Sequence, residues 1–297
     1  MSFNRSPADD LSPWVGRVMV AITHATPDAA ANGVLCNDAA YVRTAVDAHW
    51  TVETADRTMD ISGQTFLCGQ HDHAMPLQYK GPIKVAGMML RPGAMRALFG
   101  VNDGTMLQRI SYFNEIGIPD KEVTGLYHPG IEASTWLEKL EHWLRQHIVR
   151  SEAPLPDPLS QRFEEAAFAD PNQSVTDFAD QHCVTTRTLQ RTIRRDFGLT
   201  PKQVLRRARI LDLAARLCGV ADEAEEEIFL RFFDQSHQIH EFTRFFGLTP
   251  HAFRAERNAL LTLSLEIRQA RRLELLDRIA PGAVRPWMRK PFLPKQG

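Results

Sequence analysis

The chain contains 297 residues, of which 43% are hydrophobic and 24% are charged, and its formal net charge is −1. This length favours two domains, and the hydrophobic content is sufficient for buried cores. A net charge so close to zero excludes attraction of a partner by the charge of the whole chain. Any affinity for nucleic acid must therefore come from local patches.

The N-terminus lacks the apolar stretch of a signal peptide, and the sequence has no run of 18 apolar residues. We therefore expect a cytoplasmic protein with no membrane contact. The four cysteines, at positions 36, 68, 183 and 218, are widely separated and form no CxxC pair. This spacing indicates neither a zinc knuckle nor a disulfide framework, and it predicts buried free thiols.

Residues 1–12 are predicted to be a loose arm, and β-prone segments follow it. Strands are predicted at 14–22, 41–46, 49–54, 64–68 and 83–90. Turn-forming residues separate them at 32–33, 37–38, 62–63 and 80–82. Gly87 interrupts the last strand and indicates a bulge or a close backbone approach. Several short strands with frequent turns predict a small barrel or sandwich.

Helices are predicted at 94–99, around 105–112, and at 132–149. The last is amphipathic, with an apolar stripe formed by Trp136, Leu137, Leu140, Trp143, Leu144 and His147 or Ile148. Such a stripe packs into a core or a subunit interface, and the sequence does not distinguish these. Three prolines between positions 154 and 158 indicate a linker at 151–158. Residues 1–150 would then form the first domain.

The second domain is predicted at 159–258 and begins with a helix at 159–169. Ser174 is a suitable N-cap for a short helix at 175–182, and a turn at 183–184 precedes a second helix capped by Thr185 or Thr186. Gly198 ends that helix, and a third is predicted at 201–218. The short capped helix, the tight turn and the second helix are typical of a helix-turn-helix unit.

The second helix has two distinct faces. Leu189, Ile193 and Phe197 recur every four residues and form an apolar stripe. At about 100° per residue, the opposite face carries Arg187, Gln190, Arg191 and Arg194. Arginine can bond O6 and N7 of guanine together, and glutamine can bond N6 and N7 of adenine. The alternative is a solvated basic face on an ordinary surface helix.

Local charge and an internal repeat favour DNA binding. Residues 174–219 contain nine basic and four acidic residues, and residues 268–297 contain eight basic and two acidic ones. The string FGLTP at 197–201 recurs at 246–250, an offset of 49 residues. The repeat predicts a second helix-turn-helix unit. Two such units can place their recognition helices in successive major grooves, about 34 Å apart.

Residues 160–254 resemble the AraC/XylS-type DNA-binding domain. The matching strings are TTRTLQR at 185–191, DQSH at 234–237, and both FGLTP repeats, the second followed by Phe253 and Arg254. The resemblance implies a transcriptional regulator with a cupin-like N-terminal domain that binds an effector, dimerises, or does both. The segments 87–94 and 98–100 are similar to that N-terminal class. We therefore expect an α+β protein: a β-barrel-like (cupin-like) domain with helices, then an all-α domain with two helix-turn-helix units.

The resemblance also implies the site and its partners. Ten DNA-binding residues are carried over: Thr186, Arg187, Thr188, Gln190, Arg191, Arg194, Gln235, Ser236, His237 and His240. The expected partner is double-stranded DNA, bound by a homodimer, and a small-molecule effector and RNA polymerase are candidate partners. No ligand-binding residue is assigned, no cofactor or metal is expected, and a basic extension occupies 259–297.

The second unit departs from the family pattern. Arg231 stands where the family has a glycine, Gln238 where it has an aromatic residue, and His240 where it has an arginine. The acidic run 225–227 precedes them and would repel phosphate. We therefore expect this unit to add less affinity or to face a protein partner. The alternative function is regulation through protein–protein contacts.

Other candidate sites have a simpler alternative. His71 and His73 would share one face of a strand and could begin a metal site, but ordinary polar histidines are the preferred interpretation. A pocket could be lined by Trp14, Trp50, Phe66, Met88, Met89 and Leu90, but plain barrel core is the preferred interpretation. Arg91 is expected to make a structural ion pair, and segment 285–295 to pack or to be disordered. No catalytic motif occurs, so we expect no enzyme.

Overall fold

A computed structural model describes residues 2–22, 30–47, 49–221, 235–255 and 259–279. It confirms the predicted α+β architecture, with strands before residue 113 and helices in the second half. Within these ranges there are ten strands: β1 (Ser2–Arg5), β2 (Val15–Ile22), β3 (Ala30–Leu35), β4 (Ala40–Val46), β5 (His49–Glu53), β6 (Thr58–Ile61), β7 (Gln64–Cys68), β8 (Met75–Lys80), β9 (Lys84–Leu90) and β10 (Ile110–Tyr112).

The strands form two antiparallel sheets that enclose one core. The larger sheet has the order β1-β2-β9-β4-β7-β10, and the smaller has the order β3-β8-β5-β6. Met19, Tyr41 and Phe66 from the larger sheet share a buried cluster with Trp50 and Leu77 from the smaller one. The N-terminal domain is therefore a barrel-like β structure, as expected.

The helices include three in the N-terminal half: α1 (Ala94–Phe99), α2 (Lys121–Thr124) and α3 (Ala133–Ser151). The C-terminal half contributes α4 (Pro158–Ala169), α5 (Val175–Gln181), α6 (Thr186–Phe197), α7 (Pro201–Leu217), α8 (Gln235–Phe246), α9 (Pro250–Ala255) and α10 (Ala259–Ile279). In α3 the predicted stripe is buried, from Trp136 to His147. It covers the outer face of the larger sheet, where it packs with Val18 and Val42.

Because both faces of the larger sheet are covered, its central strands are buried on both sides. Met89 points into the barrel, whereas its neighbours Met88 and Leu90 pack towards α3. Trp14 packs with that second cluster. The six residues therefore pack in two cores and do not line one pocket, which agrees with the preferred interpretation of these residues as core and not with the pocket.

The prediction of a loose arm at 1–12 is wrong. Strand β1 pairs with β2, and a short 3-10 helix follows at Asp9–Leu11. Arg5 donates two hydrogen bonds to the Glu141 carboxylate of α3, at 2.9 and 2.8 Å. Because Glu141 is buried, this charged partner stabilises both the carboxylate and the position of the segment.

The helix predicted at 105–112 is also absent. Gln108 has φ = 57°, a left-handed conformation that a helix does not accommodate, and β10 then pairs with the edge of β7. Similarly, the turn predicted at 32–33 lies inside β3. A Cβ at Gly33 would lie 2.9 Å from Leu260 Cδ1, so close packing rather than a turn accounts for this glycine.

Gly87 lies in β9 between β2 and β4, and the predicted close approach is confirmed. A Cβ at this position would lie 2.5 Å from the Val42 carbonyl oxygen of the adjacent strand. We expect Gly87→Ala to lower the free energy of unfolding by about 1–3 kcal/mol, because the strands must separate. Chemical denaturation measures the loss. Gly104→Ala, whose Cβ would meet nothing nearer than 4.0 Å, is the control, and equal effects would contradict the assignment.

Candidate nucleic-acid interface

Local capping signals define the first helix-turn-helix unit. Ser174 Oγ accepts a hydrogen bond from the Asp177 amide at 3.2 Å, at the start of α5. Thr185 Oγ1 accepts one from the Thr188 amide at 3.1 Å, so Thr185 rather than Thr186 caps α6. Gly198 ends α6 with φ = 68°, and Thr200 forms a capping box at the start of α7. The predicted boundaries are therefore confirmed within a residue or two.

The apolar stripe of α6 fixes its orientation. Leu189, Ile193 and Phe197 are buried in a cluster with residues of α4 and α5. The Phe163 ring lies 5.0 Å from the Phe178 ring and 6.2 Å from the Phe197 ring, centroid to centroid, in edge-on contact. This packing determines which side of α6 faces outwards.

The outward side carries the residues proposed to contact DNA. Arg187, Gln190, Arg191 and Arg194 are exposed, whereas Thr186 and Thr188 are half-buried. Thr188 Oγ1 lies 2.9 Å from Thr185 Oγ1, which ties it to the helix cap. Among the described residues, none forms an ion pair with the three exposed arginines. Their guanidinium groups can therefore turn towards phosphates or base edges.

The next arginine along α6 has a different role. Arg195 contacts Asp157 at 2.7 Å and Asp196 at 2.6 Å, and these hydrogen bonds raise the pKa of its guanidinium. Asp196 is fully buried and accepts a hydrogen bond from Ser160 Oγ at 2.5 Å. Sequence patterns did not identify this cluster, because its members come from the linker, α4 and α6.

The C-terminal end of α6 rests on the β domain. The Asp196 carboxylate lies against Gly93 and 3.7 Å from Arg96. Gln70 donates to the Asp196 carbonyl at 3.3 Å. A Cβ at Gly198 would lie 2.9 Å from the Asp103 carbonyl oxygen. The first recognition helix therefore contacts the β domain at its C-terminal end, and the outward face of its preceding turns is exposed.

The second unit is described only in part. Residues 222–234, which include the acidic run and Arg231, lie outside the described residues. Gln235, Ser236 and His237 lie in the first turn of α8, but their side chains are not described. His240 is exposed and lines a groove with Asp72, Glu241 and Arg244.

The core of the second unit repeats that of the first. Phe242, which matches Ile193, is buried, and its ring centroid lies 5.0 Å from that of Phe253. Gly247 has φ = 71°, matching the left-handed Gly198. The predicted repeat therefore extends to the packing of α8 and α9.

Several arginines counted in the basic patches are not available to DNA. Arg207 is buried and donates to the carbonyl oxygens of His71 and Asp38, at 2.9 and 2.8 Å. In α10, the side chains of Arg268, Arg271 and Arg272 are also buried. The described part of the C-terminal extension is therefore a packed helix, which corrects the prediction of a basic patch there.

His71 and His73 do not share a strand face. They lie in a loop between β7 and β8, where His71 is buried and His73 is exposed. The Asn37 amide donates to Nδ1 of His71 at 3.3 Å, and the Asn37 side-chain nitrogen lies 3.3 Å from Nε2. Burial, with the positive charges of Arg43 and Arg207, lowers the pKa of His71 to about 3.

Two other predictions are settled by side-chain positions. Arg91 makes the expected structural pairs, with Glu164 at 3.2 Å and Glu165 at 3.1 Å. Cys36 and Cys68 are buried free thiols, but Cys183 is exposed and Cys218 is half-buried, so that prediction was half wrong. Within the described ranges, no three His, Cys, Asp or Glu residues are grouped to hold a metal ion, and no helix is long and apolar enough to cross a membrane.

The fold and the exposed helix define a class: a DNA-binding transcription regulator of the helix-turn-helix type. Residues 178–256 match the family described as "Helix-turn-helix domain", and residues 4–110 match "Domain of unknown function (DUF6597)". The prediction of an AraC/XylS-type regulator is confirmed: the chain joins an AraC-type helix-turn-helix domain to a DUF6597 domain.

Solved structures that match this chain include ToxT from Vibrio cholerae, with a TM-score of 0.49, 10% identity, and coverage of 80% of this chain and 98% of that chain. ToxT with bound unsaturated fatty acid has a TM-score of 0.45, 11% identity, and coverage of 80% and 94%. The AraC-like activator CuxR has a TM-score of 0.31, 10% identity, and coverage of 71% and 86%. No curated protein matches the chain significantly.

Cys183 lies in the turn between α5 and α6 with φ = 54° and an exposed side chain. The left-handed conformation costs an L-residue about 1–2 kcal/mol, which glycine avoids at a smaller entropic cost. We expect Cys183→Gly to raise the free energy of unfolding by about 1 kcal/mol, measured by denaturation followed through helical circular dichroism. Cys183→Ala keeps Cβ and should give no gain. An equal gain from alanine would contradict backbone strain as the cause.

The low pKa of His71 predicts a loss of stability in acid. As the pH falls below the usual histidine pKa of 6.5, the unfolded chain binds a proton that the folded chain refuses until about pH 3. Between these values the free energy of unfolding falls by about 1.4 kcal/mol per pH unit. From pH 7.5 to pH 5 the expected loss from this group is about 2 kcal/mol.

Urea denaturation at the two pH values tests this prediction. His71→Asn should show a weaker pH dependence than the unaltered protein, even if it is less stable at pH 7.5. His142→Gln, at an exposed position of α3, is the control and should keep the original pH dependence. Identical pH dependences in all three proteins would exclude His71 as the source.

Proposed function

We propose that the protein is a sequence-specific DNA-binding transcriptional regulator in which the first helix-turn-helix unit makes most of the base contacts. The observation that carries this proposal is the exposed face of α6, with three arginines and one glutamine opposite a buried stripe. Its N-terminal turns correspond to those that enter the major groove in helix-turn-helix complexes. No catalytic role is proposed.

Two kinds of contact follow from position on α6. Arg187, Gln190 and Arg191 lie in the first half of the helix, where side chains reach base edges. Arg194 lies nearer the C-terminal end, where a guanidinium suits a phosphate. Thr186 and Thr188, being half-buried near the cap, would position the first turn and contact the backbone of the DNA.

The second unit is proposed to contribute less. In α8, His240 holds the position of Arg191. It lies in a groove whose charged lining is two carboxylates, Asp72 and Glu241, and two arginines, Arg206 and Arg244. DNA contacts are also proposed for Gln235, Ser236 and His237, and these rest on the sequence alone. The alternative, regulation through protein contacts at this unit, draws support from Ile239, a large apolar side chain that is 47% exposed on α8.

We further propose that the β domain senses an effector or forms the homodimer. One cavity beside Trp50 measures about 40 Å³, and one between the domains measures about 30 Å³. An effector of more than a few atoms bound in either cavity would have to displace protein side chains.

In vitro selection from a random double-stranded library tests the proposed function, because it yields a sequence motif only for a sequence-specific protein. Arg187→Ala and Arg191→Ala should each weaken binding to the selected sequence by about 1–3 kcal/mol and relax specificity at one position. Fluorescence anisotropy measures both effects. Arg150→Ala, an exposed arginine on α3, is the matched control.

Arg194→Ala should behave differently. It should weaken binding to all sequences alike and lower the slope of log K against log salt by about 1. Charge reversal of residues 225–227 to lysine, on the sequence argument alone, should tighten binding if that run lies near phosphate. If no motif emerges from the selection, and no salt-dependent binding is detected, the proposed function is wrong.

A further inference from the structure

Helix α10 begins after residue 256, where the helix-turn-helix match ends, and it packs on both domains. It contacts β2 and β3 of the β domain and α4 and α7 of the helical domain. In the described sheets, β3 is the edge strand of the smaller sheet and β2 is next to the edge of the larger one. The helix therefore covers the open side of the barrel, between β2 and β3.

The apolar residues of α10 divide between two cores. Leu260 and Ile267 are buried in the barrel cluster with Leu35, Trp50 and Val85. Leu261 and Leu265 are buried in the cluster of the second helix-turn-helix unit. A single rigid helix thus completes the core of the sensor barrel and part of the core of the DNA-binding domain.

A buried ion-pair network holds the middle of the helix. Arg268 is 3% exposed, and it contacts Asp38 of the β domain at 2.7 Å and Asp212 of α7 at 2.6 Å. Arg207 of α7 reaches the same loop, through the Asp38 carbonyl oxygen. Removing the Arg268 guanidinium would leave the buried Asp212 carboxylate and the largely buried Asp38 carboxylate without their shared partner, which is unfavourable.

The second half of α10 adds further contacts. Glu274 pairs with Arg17 of β2 at 2.7 Å, and Arg272 donates to the Phe168 carbonyl oxygen of α4 at 3.2 Å. From Leu260 to Glu274 the helix spans about 21 Å at 1.5 Å per residue. Contacts with the β domain therefore extend along most of its length.

This docking also determines what surrounds α8. The Ala74 amide of the β domain donates to the Phe245 carbonyl oxygen of α8 at 2.8 Å. The nearby Asp72 carboxylate lines the groove beside His240. Glu241, Arg206 and Arg244 line the same groove, so the β domain supplies one of the charged groups that surround His240.

We propose that α10 is an intramolecular strap that closes the open side of the barrel, holds the DNA-binding domain against it, and limits the affinity for DNA until it is released. This proposal rests on the proposed DNA-binding function. An occupant of the barrel that displaced Leu260 and Ile267 would release the strap. The geometry thus couples the barrel interior to the helix-turn-helix units through one helix.

Gly33→Leu tests the strap without altering α10 or the DNA-binding domain. Gly33 lies on β3, and a Cβ there would lie 2.9 Å from Leu260 Cδ1, so a leucine takes the space that Leu260 occupies. Asn32→Leu is the matched control, because Asn32 is the adjacent, exposed residue on the same strand. Hydrogen exchange of residues 259–279 reports release, and anisotropy with selected and random duplexes reports DNA affinity.

We expect Gly33→Leu to accelerate exchange in α10 and to tighten DNA binding roughly fivefold or more, with no change in Asn32→Leu. Glu274→Ala, at a half-exposed position, should also accelerate exchange in α10 and tighten DNA binding, but by less. This variant replaces Gly33→Leu in the test if the leucine variant does not fold. Faster exchange without tighter binding would overturn the strap, as would unchanged exchange in both variants. If neither the unaltered protein nor any variant binds DNA, the proposed function itself fails.

Discussion

The arrangement of the two domains depends on a guanidinium group buried between two carboxylates. Arg268 contacts Asp38 from the loop before β4 and Asp212 from α7, and all three side chains are largely withdrawn from water. A buried ion pair of this kind adds little net stability, because desolvation offsets the attraction. Its effect is geometric: a shift of α10 that broke these contacts but still excluded water would leave buried charges without partners. Arg207 of α7 adds to this restraint on domain position. Its hydrogen bonds to the Asp38 and His71 carbonyl oxygens join α7 to the loop before β4 and to the loop before β8.

The first helix-turn-helix unit was predictable from sequence because its determinants are local. Ser174, Thr185 and Gly198 cap helices through hydrogen bonds to backbone groups within one helical turn. The spacing of the apolar residues from Leu189 to Phe197 determines which face of α6 is buried. The exposed face of α6 followed directly. The contact between the C-terminal end of α6 and the β domain was not predictable, because Asp196, Ser160 and Gly93 are brought together only by the tertiary fold.

Long-range contacts account for most of the incorrect predictions. A turn was predicted at residues 32–33, but they lie in a strand, because β8 pairs with β3 and Leu260 packs on Gly33. The first strand was missed because its stability comes from pairing with β2 and from Glu141, 136 residues after Arg5 in the chain. In α10, the arginines resembled a basic patch because their acidic partners, Asp38, Glu164 and Asp212, are remote in sequence. Charge counts along the chain cannot distinguish a solvated arginine from a buried one.

The two recognition helices contact the β domain through their C-terminal ends. The end of α6 meets the segment from Gly93 to Asp103, and the end of α8 meets Ala74. These two contacts involve different segments of the β domain, one before β8 and one after β9. In the proposed function, tandem recognition helices match a spacing of about one DNA turn. A shift of one loop relative to the other would then change how well the two helices fit DNA together.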